Sequence, residues 1–162
     1  MLPAEVVIGA IAALFEEAYA GSKDASSTWF TDNQPDAGVL GTLASLSAAE
    51  ASVSLDGSGM AGSTIAAHVE HLRWSLALTN ALIRGEQPTA SWEESWRVIT
   101  VDAEGWSRLR DALSAEYRTL LQDMRQRSDL PAELVTPGIS IVAHGAYHLG
   151  AIRQMVRQLK RG

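Results

Sequence analysis

The stretch Ile139-Ser-Ile-Val-Ala-His-Gly-Ala-Tyr-His-Leu-Gly-Ala-Ile-Arg-Gln-Met155 decides how the rest of the chain is read. Ile141, His144, His148, Ile152 and Met155 recur at steps of three and four, which places them on one face of a helix. His144 and His148 are four apart, so their rings lie one turn from each other on the face expected to be buried. Two imidazoles on a buried face call for a partner, and a shared metal ion supplies one. A second cluster, His68-Val-Glu-His71, falls on another apolar stretch, and the two clusters hold all 4 histidines of the chain.

Upstream of this stretch, Thr136-Pro137 combines an N-cap residue with a proline at the first helical position, so this last helix is expected to open there and run to the C-terminus. Leu130-Pro131 breaks the chain before it. A third long helix is expected from Asp102, a good N-cap, to about Arg127. Trp106, Leu109, Leu113, Tyr117, Leu120 and Met124 form its stripe. The second runs from Thr64 to Arg84, with Ser63 as N-cap and Gly85 just past its end. Ile65, Val69, Leu72, Leu76 and Ile83 form its main stripe. Trp74, Leu78 and Leu82 lie on other sides, so burial on several faces is expected. The first runs from Pro3 to Tyr19, burying Val7, Ile11, Leu14, Phe15 and Ala18, with Gly21 as its C-terminal cap. Asp36 is expected to cap a short helix from Ala37 to Leu46, and Ser47-Ala-Ala-Glu50 has capping-box spacing. Trp29 and Phe30 are expected to pin the polar loop of residues 21–36.

No strand pattern or internal repeat is present, so the fold class is all-α. Four long amphipathic helices imply a four-helix bundle forming a single domain over residues 1–162. The third and fourth helices, joined by a short loop, are antiparallel neighbours. The connector from Gly85 to Val101 is long enough to cross back along the bundle, which allows the second and third to run parallel.

Composition narrows the function. Of 162 residues, 46% are hydrophobic and 20% charged, which describes a globular chain able to bury a core. With 0 cysteines there is no disulfide, thiolate nucleophile or cysteine-ligated zinc. A net charge of −6 and the lack of a basic stripe argue against nucleic acid as a partner. The apolar run from Val6 to Phe15 is shorter than the ~20 residues of a membrane span, and Glu5, Glu16 and Glu17 flank it. A cytoplasmic protein with no membrane attachment is expected.

Three protein ligands and one open position form the catalytic arrangement of zinc and related ions. His144 and His148 supply two, and the third comes from His68 or His71. The helical wheel leaves both open. The plainer alternative is that each histidine is satisfied separately by hydrogen bonds.

The segment His144-Gly-Ala-Tyr-His148-Leu-Gly150 resembles the last-helix motif of the DinB/YfiT-like superfamily, His-x-x-x-His-x-Gly-Gln. Thr64-Ile-Ala-Ala-His-Val-Glu-His-Leu72 resembles that family's second-helix motif, where the ligand histidine follows a Ser or Thr by seven residues and precedes an aliphatic one. The resemblance extends over nearly the whole chain in helix order and length. It implies an up-down-down-up bundle with a crossover between helices 2 and 3, often a homodimer. It also implies a divalent ion, zinc or nickel, held by His71, His144 and His148. The Gln after the family's glycine is Ala151 here, so any role of that Gln is absent or falls to another residue such as Gln154. Active relatives include transferases of low-molecular-weight thiols. The resemblance therefore implies a small-molecule substrate and metal-assisted thiol transfer or hydrolysis, the thiol being brought by a cosubstrate.

No acid or base is named by the sequence. Glu70 points about 100° from His71 on a helix, Tyr147 reads as packing, and Arg153 turns away from the histidines. Trp92, Glu93, Glu94 and Trp96 can wall a pocket mouth, although aromatics in a connector ordinarily cover the core. Two other classes compete. One is a structural or regulatory bundle stabilised by its metal. The other is a metal-free bundle holding an apolar ligand.

Overall fold

The computed structural model describes residues 2–24, 26–60, 62–89 and 91–161. Regular structure among them is entirely helical. The α-helices are α1 (Ala4–Ala20), α2 (Val39–Ala44), α3 (Ala48–Ala51), α4 (Ile65–Ile83), α5 (Ala103–Gln126) and α6 (Ala132–Leu159), with a 3-10 helix at Trp92–Trp96 before α5. Four of the α-helices are long. The residues gather into two compact units, Met1–Ala44 with Arg118–Leu149, and Ser45–Tyr117 with Gly150–Gly162.

In the first unit, Ile11, Phe15 and Ala18 of α1 are buried as the stripe requires, and Tyr19 joins them. Gly21 ends the helix at φ 87°, its N–H on the Glu17 carbonyl at 3.0 Å. Gly38 passes so close to this end that a Cβ there would stand 2.4 Å from the Tyr19 carbonyl oxygen, a backbone atom that cannot move aside. α2 packs on α1. Asp36 is not its cap. It sits at φ 55°, a left-handed turn conformation tolerated by Asp, and its carbonyl crowds Gly41.

The loop of residues 21–36 is held differently from the expectation. Trp29 is 78% exposed and Phe30 40% exposed, so neither ring anchors it. The anchor is the Glu17 carboxylate, only 4% exposed. Its Oε1 accepts the backbone N–H groups of Trp29, Phe30 and Thr31, each at 2.9 Å, and the Thr31 hydroxyl at 2.9 Å. Burial raises the pKa of this carboxyl and is the largest single influence. The four donors together outweigh it and hold the group below its ordinary value.

α6 begins at Ala132, ahead of the expected Thr136. The Pro131 carbonyl accepts the Leu134 N–H at 2.9 Å and starts the first turn, which leaves Pro137 inside the helix. There it lacks the N–H that would bond the carbonyl four residues back.

In the second unit, α4 is capped by Thr64, not Ser63. The Thr64 hydroxyl accepts from the Ala67 N–H at 3.1 Å and donates to the Ile99 carbonyl at 2.7 Å. One side chain thereby caps the helix and ties down the connector, which Ser63 does not do. Ile65, Val69, Leu72 and Leu76 are at most 1% exposed, whereas Leu82 is 57% exposed, so α4 is less widely buried than expected at its far end. The Ser47–Glu50 capping box forms in both directions. Asp102 Oδ1 accepts the Gly105 N–H at 2.7 Å and opens α5, and the Trp106 indole donates to the Leu46 carbonyl at 2.7 Å.

Candidate metal centre

His71 lies in the first half of α4 and is fully buried. Its ring is stacked on Trp96, with centroids 4.1 Å apart and planes 12° from parallel. Trp92 meets the same ring edge-on at 4.6 Å, and Trp74 lies beyond at 6.4 Å. The connector aromatics therefore do more than cover the core. The 3-10 helix Trp92–Trp96 packs on α4 and encloses this histidine, although Trp92 itself remains 59% exposed.

His71 Nδ1 is 2.7 Å from the Ser95 hydroxyl oxygen. That hydroxyl donates its single hydrogen to the Trp92 carbonyl at 2.6 Å. The oxygen then has only lone pairs to offer the ring, so Nδ1 carries a proton and donates. In that tautomer the ring lone pair that could face an ion is on Nε2.

His144 and His148 lie one turn apart on α6 with ring centroids 4.6 Å apart and planes 81° to each other. His148 is 3% exposed and His144 half-buried. Burial pushes the His144 imidazole below its ordinary pKa, which keeps it neutral at pH 7 with a lone pair to give. The glycine between them has a packing reason. A Cβ on Gly145 would stand 2.8 Å from Tyr19 Cε2. Tyr19 is itself fully buried and braces this turn of α6.

His71, His144 and His148 each offer a ring nitrogen, and these atoms lie within 4.8 Å of one another. Such a group is compatible with a metal site. The donor set fits an ion of intermediate softness, because all three donors are imidazole nitrogens. His68 is not in the group. Its Nε2–H donates to the Gly62 carbonyl at 3.1 Å and its ring meets Trp96 edge-on at 5.6 Å, which satisfies it within the protein.

The other side chains singled out from the sequence fall outside the cluster. Glu70 forms a two-bond ion pair with Arg73 at 2.7 Å and lines a surface pocket of about 480 Å³ with Val101 and Arg108. Tyr147 is 71% exposed, with its ring edge-on to His148 at 5.1 Å. Ser95, fully buried, escapes sequence reasoning, because one serine between two tryptophans carries no ligand signal. No protein-family model, curated protein or solved structure matches the chain.

Proposed function

We propose that His71, His144 and His148 hold one divalent metal ion, and that the protein is a metal-dependent enzyme acting on a small molecule. The observation that carries this is the convergence of three buried or half-buried ring nitrogens within 4.8 Å. Separately satisfied histidines give no reason for that convergence. A bound ion supplies Lewis acidity toward a substrate oxygen or sulfur and lowers the pKa of bound water toward ~7. The chain's part is to hold the ring nitrogens, to keep His144 neutral by burial and to shield His71 from bulk water, with Trp96 stacked on its ring.

The chemistry we propose is transfer of a low-molecular-weight thiol to an electrophile, or hydrolysis, in line with the DinB-like motifs. The absence of cysteine makes the thiol a cosubstrate. The same resemblance leads us to propose zinc or nickel as the ion and an up-down-down-up arrangement of the four long helices. Two copies are proposed to associate, and Val6 and Ile139, both more than half exposed, offer apolar surface for such a contact.

One observation favours a second reading. His71 and His148 are at most 3% exposed, which suits an ion that only stabilises the fold. Elemental analysis of untagged protein, wild type beside His144→Ala, tests the site. One zinc or nickel per chain, lost in the variant, is expected, and wild type that takes up neither metal refutes it. Thiol-dependent consumption of electrophiles by the loaded protein separates the enzyme from the structural reading.

A further inference from the structure

The geometry points to Ser95 as a positioning residue for the metal centre, one that locks His71 in the tautomer able to bind an ion. This rests on the metal reading above. An imidazole in water favours no ligand-ready orientation. A ligand histidine is ordinarily held by a hydrogen bond to its other ring nitrogen, and loss of that partner weakens metal binding by about 10- to 100-fold.

Ser95 meets each requirement for that partner. Its residue is 0% exposed, so water does not compete for the bond. Its hydrogen is committed to the Trp92 carbonyl at 2.6 Å, which forces the oxygen to act as acceptor toward His71 Nδ1 at 2.7 Å. The ring cannot rotate out of this contact, because Trp96 stacks on its face at 4.1 Å and Trp92 closes its edge at 4.6 Å. A serine needed only to close a 3-10 turn would satisfy itself on the carbonyl three residues back and would have no use for a ring nitrogen. The hydroxyl therefore joins two elements, the connector and α4, at the atom opposite the one presented to the metal. Metal occupancy and the placement of the Trp92–Trp96 helix are linked through it.

The test uses full-length protein carrying ¹⁵N-labelled histidine, metal-free, at about pH 8 where imidazoles are neutral. Long-range proton–nitrogen spectra report which ring nitrogen of His71 bears the proton, with His71→Gln assigning the signal. Wild type is expected to show Nδ1–H. Ser95→Ala is expected to shift toward Nε2–H, and Ser95→Thr, which keeps the hydroxyl, to retain Nδ1–H. In zinc competition titrations Ser95→Ala should bind about 10- to 100-fold more weakly. A wild-type His71 protonated on Nε2 overturns the inference, whether or not either variant folds. So does Ser95→Ala with unchanged tautomer and unchanged zinc affinity. Wild type that shows Nδ1–H but takes up no zinc upholds the lock and overturns the metal reading, so the two failures are distinguishable.

Discussion

Replacing Glu17 by glutamine tests whether one carboxylate holds the turn at Trp29, Phe30 and Thr31. In the native protein Oε1 receives three backbone N–H groups and one hydroxyl, all at 2.9 Å, and Oε2 takes the Trp29 N–H again at 3.1 Å. Glutamine can place its carbonyl where Oε1 was. Its amide nitrogen then faces the Trp29 N–H, donor against donor, and the charge that strengthened every bond is gone. Hydrogen bonds to a charged group contribute about 1.5–3 kcal/mol each, and four on one carboxylate are not additive. A net loss of roughly 2–3 kcal/mol is expected. For a chain of this size each kcal/mol moves Tm by about 2–4 °C, so thermal denaturation at pH 7 should show a drop of roughly 4–12 °C. The pH dependence has a definite sign. The folded carboxyl titrates below its ordinary value near 4.5, so the stabilisation is fully present above pH 4.5 and is lost as pH falls through the folded pKa. The gap between wild type and Glu17→Gln is therefore constant near neutrality and closes in acid. A variant within about 1 °C of wild type at pH 7, or a gap that widens in acid, shows that the Glu17 charge does not hold the loop.

Other expectations follow from single contacts. Removing metal from loaded protein with a chelator should lower Tm by about 5–10 °C when the free ion had stood near 100-fold above Kd, since that occupancy is worth about 2.7 kcal/mol. Unchanged Tm argues against a bound ion. Gly145→Ala pushes a Cβ to 2.8 Å from the Tyr19 ring. Overpacking costs about 1–3 kcal/mol, partly offset by ~1 kcal/mol of helix propensity, so calorimetry should show a modest loss of stability accompanied by weaker zinc binding. Thr64→Ala removes a helix cap and the tie to Ile99, and chemical denaturation should show a loss of about 1–2 kcal/mol. Asn80, 3% exposed, donates to both the carbonyl and the carboxylate of Glu116 at 3.0 and 2.8 Å. Asn80→Ala should cost about 1–3 kcal/mol by the same measurement, because the partners lose a charge-assisted bond.

Much of the helical framework was legible in the residue order. Helix periodicity, the Ser47–Glu50 box, the Asp102 cap and the Gly21 stop are local, governed by neighbours within one turn, so spacing alone finds them. The pairing of His144 with His148 is legible for the same reason. What escaped was set by residues distant in sequence. Spacing could not choose between His68 and His71, because both lie on one helix and the difference is what folds against each. A backbone carbonyl takes His68, and a serine and two tryptophans of the connector enclose His71. Pro137 reads as a helix start by local rule, yet Pro131 had already supplied the first turn. Residue order is enough for the all-α class, the approximate extent of the long helices and two histidines on a shared face, since each depends on a period of 3.6 residues. Folding in three dimensions is what makes Glu17 anchor a loop, Tyr19 require Gly145 and Ser95 fix His71. Those are contacts made through space by side chains whose partners no local pattern encodes.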